Sequence, residues 1–370
     1  MRQRSRWLVV GVVASAGCSR AGQVGTATPA GGRLDRAGLL ACLGAPPEAI
    51  YAPERLAAPP RPGLSVHTFS QTLSSCGPVE RRYLSYVPPR LAARSAAPVL
   101  IVLHGQGASA EAMMNFQTGG TFNRLADEKG LLVIYGNGLP TGYNFPGLAN
   151  SGRWRAEDTE VDDVGYLDLI VADLRARGVI AGGNDLYLIG QSNGGGMVLR
   201  AAREHPDRYS GVAAFMPFVG SSPAAPADLR HTRLRRVMFA YSSADPGLPA
   251  DYGARVLVSL TDGWARALGL GNDAGVADVV TGLPDVVKEG EGQGDGQVSD
   301  APAVRATRDS TGRRLDRRKG DRALRQLVFD RAGHFWPTRQ YADPEPVLRQ
   351  FGLRNQDVEG ADEVWAFFTE

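Results

Sequence analysis

Short apolar runs alternate with amphipathic stretches along the chain from about residue 81 onward. The first convincing strand is RRYLSYVPP, which ends at proline. The segments PVLIVLHG, LLVIYGNG and DLYLIG contain apolar runs typical of strands that are buried on both faces. FNRLADEKG and DVGYLDLIVADLRARG carry apolar residues at helical spacing and stop at glycine. This alternation predicts an α/β fold in which helices cover both faces of a mostly parallel sheet.

The first eighteen residues follow a different pattern. MRQRSRWLVVGVVASAGC has a basic start, a short apolar core and small residues before Cys18, which predicts a signal peptide too short to span a membrane stably. SAGC is similar to a bacterial lipobox, in which the cysteine becomes the lipid-bearing first residue. Ser15 replaces the leucine usual there, so cleavage without lipidation stays open. We expect an exported protein, either a cell-envelope lipoprotein anchored through Cys18 or a secreted one.

Two further segments lack the alternating pattern. Residues 19–62 are rich in alanine, glycine and proline, which predicts a tether or loosely packed arm before a single domain at 63–370. Residues 285–302 are acidic and glycine-rich, which predicts a surface loop. Without Cys18, an even pair of cysteines remains, Cys42 and Cys76, and the sequence leaves open a disulfide or two free thiols.

Composition narrows the classes of partner. The 370 residues are 43% hydrophobic and 22% charged with a formal net charge of +2, which is ordinary for a globular protein. No basic stretch is interleaved with aromatic residues, so we do not expect nucleic-acid binding. Asp162 and Asp163 fit either a metal pair or helix-cap acids. Capping is favoured because no other ligand residues cluster with them, and we expect no metal and no cofactor.

The stretch LIGQSNGGG places Ser192 between two glycines. The pattern alone is weak in a chain with 46 glycines, but here an apolar strand leads into it and an amphipathic helix follows. That context is the strand–turn–helix in which a nucleophilic serine stands above the sheet edge. Gly190 and Gly194 would allow the strand and the helix to approach closely. The alternative is a glycine-rich loop without chemistry.

A serine hydroxyl becomes a nucleophile only beside a base that a third group orients. In the order found in α/β-hydrolases, the acid follows the serine and the histidine comes last. Asp245 lies in the turn after the strand-like VMFAY, whereas its rivals Asp251 and Asp262 do not directly follow a strand. His334 follows a strand and a glycine near the C-terminus. The remaining histidines fit the order or the position less well, namely His67, His104, His205 and His231.

Ester attack also creates an oxyanion, which needs N–H donors already pointed at it. The residue after the nucleophile, Asn193, supplies one backbone donor. The loop after an early strand supplies the other, and VLIVLHGQG favours Gln106. The alternative is that His104 and Gly105 only end a strand.

The segments LHGQG, GQSNGGG, SSADP and AGHFWP, in this order, resemble the polyhydroxybutyrate depolymerase and feruloyl/acetylxylan esterase group of α/β-hydrolases. VDDVGYLDLI and GRWRAED are also similar to segments of that group, and the resemblance covers about residues 81–370. It implies the α/β-hydrolase fold with Ser192, Asp245 and His334 as nucleophile, acid and base. It also implies that Trp154 and Trp336 lie near an acyl or aryl pocket.

Two departures from this group bear on the substrate. Polymer-degrading members often carry a linker and a surface-adsorbing domain after the catalytic one, whereas this chain ends with the helical pattern ADEVWAFF. The acidic glycine-rich stretch before His334 is also unlike the compact pattern of the group. We therefore do not expect attack on crystalline polymer.

The sequence thus favours a serine carboxylic-ester hydrolase that forms an acyl-enzyme from small or oligomeric esters. The expected acyl groups are short-chain, hydroxyalkanoate, acetyl or feruloyl. Two alternatives stay open: a peptidase or acyltransferase on the same triad, and a catalytically silent cell-envelope binding protein. The presence of all three triad residues argues against the silent protein. The oligomeric state and the physiological partner do not follow from the sequence.

Overall fold

The computed structural model describes Gly38, Cys42 and, with gaps, the chain from Pro62 to Glu370. The described ranges are 62–74, 76–91, 96–106, 108–139, 161–219, 225–242, 245–248, 252–270, 276–281, 312–329, 332–339, 348–349, 351–356 and 358–370. Several predicted features lie outside the described residues: the signal peptide with Cys18, nearly all of the arm at 19–62, Trp154, and the acidic stretch at 285–302.

Ten strands of the described chain form one sheet, in the order β1-β2-β4-β3-β5-β6-β7-β10-β9-β8. Six neighbouring strands, from β4 to β10 in this order, are parallel, while β1, β2, β9 and β8 pair antiparallel at the two edges. The strands are β1 Leu64–Leu73, β2 Gly77–Tyr86, β3 Val99–Leu103, β4 Leu132–Gly136, β5 Leu186–Gln191, β6 Gly211–Phe215, β7 Arg236–Ser242, β8 Val276–Thr281, β9 Gly312–Lys319 and β10 Arg322–Phe329.

Five α-helices have described bounds, as do the π-helical segments Ala112–Gln117 and Tyr252–Leu257. They are α1 Thr121–Lys129, α2 Asp163–Ala176, α3 Asn193–Glu204, α4 Val258–Ala267 and α5 Gly360–Thr369. Helix α2 begins as expected, because the Asp162 carboxylate accepts a hydrogen bond from the Gly165 N–H at 2.7 Å. Asp163 instead forms a fully buried ion pair with Arg81 of β2 at 2.7 Å.

The parallel strands are buried on both faces. Every residue of β3 is buried, and its side chains alternate between two core clusters: Val99, Ile101 and Leu103 face one side, and Leu100 and Val102 the other. The first cluster contains residues of α2, α3 and α4, and the second contains residues of α1 and α5. Helices therefore cover both faces, as the alternating pattern predicted.

This arrangement is the α/β-hydrolase fold. An antiparallel β2 precedes the parallel strands, β3 lies between β4 and β5, and the serine turn connects β5 to the helix that follows it. Beyond β10, the strands β9 and β8 extend the sheet by two antiparallel members. The carboxyl ends of the parallel strands therefore lie at one edge of the sheet, where ligands bind in open α/β sheets.

A disulfide joins Cys42 to Cys76, with the Cα atoms 5.7 Å apart. Of the two possibilities that the sequence left open for these cysteines, the structure has the disulfide. Cys76 lies in the turn between β1 and β2, so the bond ties the segment before the domain to the first hairpin. None of the described helices has the length and apolar character needed to cross a bilayer.

Candidate active site

Ser192 lies between the end of β5 and the start of α3, in the sharp turn that its sequence context predicted. Its backbone angles are φ 55° and ψ −118°, a conformation that costs a non-glycine residue on the order of 1–3 kcal/mol. Three backbone hydrogen bonds hold it there. The Ser192 N–H donates to the Phe215 carbonyl at 2.8 Å, and the Ser192 carbonyl accepts from Gly196 and Phe218 at 3.0 and 3.1 Å.

The glycines around the serine permit backbone-to-backbone contact. A Cβ atom on Gly190 would lie 2.4 Å from the Gly194 carbonyl oxygen, and one on Gly194 would lie 2.5 Å from the His104 carbonyl oxygen. Any larger residue at either position would displace the main chain of strand, helix or loop. The close approach expected from the sequence is therefore present, and it holds the β3 loop against the serine turn.

Asp245 and His334 form a hydrogen-bonded pair across 89 residues. His334 Nδ1 lies 2.7 Å from Asp245 Oδ2, and the aspartate side chain is almost fully buried. The other carboxylate oxygen accepts from the Gly247 N–H at 2.8 Å. A Cβ on Gly247 would lie 2.6 Å from His334 Cγ, so the turn that carries the acid packs directly on the imidazole.

Of the rival acids, Asp262 pairs with Arg317 at 2.8 Å, and Asp251 is outside the described residues.

The backbone of His334 is held from two sides. Its N–H donates to the Phe351 carbonyl at 2.6 Å, within a short pairing that also joins Gly333 to Leu353. Its carbonyl accepts a hydrogen bond from the side chain of Gln191, the residue before Ser192, at 3.1 Å. Reasoning from the sequence missed Gln191. The available signal was an amide at the end of an otherwise apolar strand.

The loop after β3 carries a buried, neutral histidine. The Gly138 N–H donates to His104 Nε2 at 3.0 Å, and His104 Nδ1 lies 2.7 Å from the Gly105 carbonyl oxygen. Burial lowers the pKa of His104 to about 4, so Nδ1 carries the single ring proton and donates it to that carbonyl. Both ring nitrogens of His104 thus have backbone partners, which leaves neither available for general base catalysis.

The two predicted oxyanion donors belong to segments that adjoin the serine. Asn193 is the first residue of α3 and is buried, so its N–H belongs to the helix N-terminus. Gln106 is exposed and follows Gly105, whose added Cβ would lie 3.3 Å from Ser192 Cβ. Because a peptide group is planar and trans, holding the Gly105 carbonyl also fixes the direction of the Gln106 N–H.

Trp336 differs from its expectation. Its side chain is 0% exposed, with its ring centroid 4.0 Å from that of Phe215 and 5.4 Å from that of Phe122. The ring belongs to the core beneath the histidine loop, where it has no accessible surface to line a substrate pocket. The expectation that Trp336 contacts the substrate is therefore corrected, since a tryptophan two residues from a site histidine can turn inward as readily as outward.

The other histidines lie away from this group. His67 of β1 stacks on Tyr83 with ring centroids 4.6 Å apart. His205 follows the last residue of α3, and His231 lies in an exposed turn. Across the described ranges, the histidine, cysteine and acidic side chains form no cluster that could hold a metal ion.

The sequence is similar to known esterases. A family model described as "Putative esterase" matches residues 78–248, a range that includes Ser192 and Asp245 and stops before His334. The protein "Putative esterase NocK" of Nocardia uniformis subsp. tsuyamanensis is 31% identical over 191 residues, which are 52% of this chain and 52% of that protein. The chain thus spans about half the length of this curated relative.

Solved structures of esterases are similar at a greater distance. The acetyl xylan esterase from Aspergillus awamori has a TM-score of 0.48 and 14% identity, over 74% of this chain and 95% of that one. The S-formylglutathione hydrolase from Agrobacterium tumefaciens has a TM-score of 0.39 and 20% identity, over 55% of this chain and 85% of that one. Likeness at this distance has no bearing on activity or substrate.

Proposed function

We propose that this protein is a serine carboxylic-ester hydrolase with Ser192 as nucleophile, His334 as general base and Asp245 as the acid that orients it. The observation that carries the proposal is the backbone of Ser192, which is held at φ 55° in the turn between β5 and α3. A strained serine in that turn is typical of a nucleophile. The hydrogen bond between Asp245 and His334 supports the other two roles, and the similarity to esterases supports the reaction class.

The direction of the hydrogen bond assigns the base nitrogen. A carboxylate can only accept, so His334 Nδ1 carries the proton and Nε2 keeps the lone pair. Nε2 takes the proton of Ser192 as Oγ attacks the ester carbonyl. The same nitrogen then returns the proton to the leaving alcohol as the C–O bond breaks and the acyl-enzyme forms. Water activated by His334 releases the acid and regenerates Ser192.

The N–H groups of Asn193 and Gln106 stabilise the oxyanion that develops during each attack. His104 contributes indirectly, since it holds the Gly105 carbonyl and with it the peptide plane that contains the Gln106 N–H. A neutral imidazole with a hydrogen bond at each ring nitrogen suits this task, because it keeps one orientation throughout the neutral pH range. The donors are then directed before the substrate binds, which is what makes such sites effective.

The proposed substrates are soluble carboxylic esters, small or oligomeric, with acetyl, other short-chain, hydroxyalkanoate or feruloyl acyl groups. This assignment rests on the order of motifs shared with the polyhydroxybutyrate depolymerase and feruloyl/acetylxylan esterase group. Trp154 stays a proposed pocket residue. The same triad would also serve a peptidase or an acyltransferase, so the acceptor and the leaving group require direct measurement.

We also propose export, with the mature chain held at the cell envelope through lipidated Cys18 or secreted. The Cys42–Cys76 disulfide supports an oxidising compartment, because such bonds are rare in the reducing cytosol. Cys18→Ser should move the protein from the membrane fraction to the soluble fraction. If the parent protein and the Cys18→Ser variant are both found in the soluble fraction, the protein is secreted without a lipid anchor.

The proposed activity is tested with a panel of p-nitrophenyl esters of increasing chain length, methyl ferulate, acetylated xylan and hydroxybutyrate oligomers. The parent protein should hydrolyse short-chain or feruloyl esters better than palmitoyl esters. Ser192→Ala should lower kcat by about 10³-fold or more with the circular dichroism spectrum unchanged, because the nucleophile is lost. Near-parent activity in a folded Ser192→Ala protein would refute the mechanism, and peptide cleavage without ester hydrolysis would refute the reaction class.

A further inference from the structure

Gln191 is a buried amide next to the proposed nucleophile. It is the last residue of β5, whose other side chains are apolar apart from the Tyr187 hydroxyl, and its own side chain is 3% exposed. Its Nε2 donates to the backbone carbonyl of His334 at 3.1 Å. Its Oε1 is buried and has no hydrogen-bond partner within the described part of the chain.

This half-satisfied amide is a poor contributor to fold stability. A single hydrogen bond between neutral groups adds little to the free energy of unfolding. A buried acceptor without a partner lowers that free energy, because it loses its hydration on folding. An apolar side chain of similar volume would fill the same space without that loss. A polar group retained where an apolar one would serve the fold is characteristic of functional sites. The role of the amide is therefore sought in the group that its N–H binds, which is the His334 carbonyl.

The N–H of Gln191 holds the residue proposed as base. The bond spans 143 residues and links the strand that ends at Ser192 directly to His334. The other backbone bond of His334, to the Phe351 carbonyl, attaches the loop to residues 351–353, which are not part of β5. Within the described hydrogen bonds of His334, the Gln191 amide thus provides the connection to the nucleophile strand.

We propose that Gln191 is a positioning residue that sets the His334 imidazole relative to the Ser192 hydroxyl. The inference rests on the proposed function of Ser192 and His334. The His334 carbonyl is bonded to Gln191 and its N–H to Phe351, so the backbone from which the ring projects is fixed at both ends. Proton transfer depends steeply on this geometry, since small misplacements of reacting groups cost large factors in rate. The Gln191 side chain is buried and bonds the His334 backbone, so its loss should affect turnover more than substrate binding.

The test uses Gln191→Leu and Gln191→Met, which approximate the volume and lack the donor. Gln326→Leu is the matched control, because Gln326 is also a buried strand glutamine and lies in β10. We expect both Gln191 variants to lower kcat on p-nitrophenyl acetate about 10-fold or more. KM should stay within twofold, and the thermal midpoint should equal or exceed that of the parent protein. Gln326→Leu should leave kcat within twofold.

Two results would overturn the inference. Either kcat stays within twofold in a folded Gln191 variant, or kcat falls only together with the thermal midpoint in both variants, which would make the role structural. Ser192→Ala is measured in parallel. If that variant stays active, the proposed function fails; if it is inactive while Gln191→Leu is fully active, only the role of Gln191 fails.

Discussion

At the scale of single residues, the site depends on main-chain geometry that the fold imposes on particular side chains. Ser192 is held at a positive φ by backbone hydrogen bonds, one donated to Phe215 and two accepted from Gly196 and Phe218. Its conformation stores strain that the surrounding sheet and helix maintain. The position is therefore one where function and stability are expected to favour different residues.

Ser192→Gly should be more stable than Ser192→Ala by about 1–2 kcal/mol, although both lack the nucleophile. Glycine adopts φ 55° without the Cβ clash that alanine keeps. Urea unfolding of the two variants gives the difference directly, because neither has the hydroxyl. Equal free energies of unfolding would show that the turn is not strained.

Reasoning from the sequence placed the serine turn correctly and chose, among several acids and histidines, the two that the structure brings together. Their catalytic roles stay predictions. It could not find Gln191 or the backbone bonds of His104, since those depend on which carbonyl lies against which ring after folding. Trp336 was expected to line the pocket but lies in the core, because neither spacing nor motif shows which way a side chain turns.

At the scale of elements, the last helix is attached to the sheet edge by a buried arginine. Arg325 of β10 is almost fully buried and forms a bidentate pair with Asp316 of β9, both bonds at 2.7 Å. It also reaches Glu363 of α5 at 2.9 Å and Glu370, the C-terminal residue, at 3.0 Å. Three carboxylates thus share one guanidinium that water does not reach.

Arg325→Ala should lower the free energy of unfolding by about 3 kcal/mol, because the buried Asp316 carboxylate keeps only its longer contacts to Arg314 and Arg318. The matched control is Arg124→Ala. Arg124 also pairs with α5, through Asp362 at 2.6 Å, but it is 37% exposed and should cost less than about 1 kcal/mol. Chemical denaturation of both variants compares the two pairs. Equal losses would show that burial does not set the strength of this attachment.

The edge strands could not be predicted from the pattern of apolar residues. Most interior strands were predicted because burial on both faces requires an apolar run, as in β3, whereas the short β6 was not predicted. Strand β1 is half exposed and alternates polar residues, while β9 has the sequence GRRLDRRK and no apolar run at all. Arg314, Arg317 and Arg318 form ion pairs there with carboxylates from other elements or from β9 itself. Such a strand is specified by partners distant in sequence.

At the scale of the whole molecule, one buried histidine links stability to pH. Burial lowers the pKa of His104 to about 4, whereas an unfolded histidine titrates near ~6.5. At a pH between these two pKa values, this histidine is protonated in the unfolded chain and neutral in the folded one. The folded state therefore loses stability as the pH falls from ~6.5 toward ~4, by up to about 3 kcal/mol from this residue. Burial, with a smaller effect of Arg177, also lowers the pKa of His67, which acts in the same direction.

His104→Gln should flatten the dependence of stability on pH in this window. The measurement is urea unfolding of the parent and the variant at pH 7 and pH 4.5. The parent should lose more stability than the variant between the two conditions, whatever their difference at pH 7. An identical loss in both proteins would show that His104 is not the neutral, buried group that the fold contains.

Ser192 as nucleophile, with His334 as the base that activates it, can be tested at the bond-forming step itself. The most direct measurement is covalent labelling with diisopropyl fluorophosphate, followed by peptide mass mapping. We expect one adduct, on Ser192, that forms rapidly in the parent protein and at least about 100-fold more slowly in a folded His334→Ala variant. An adduct on another residue, or labelling of Ser192 at the same rate without His334, would contradict it.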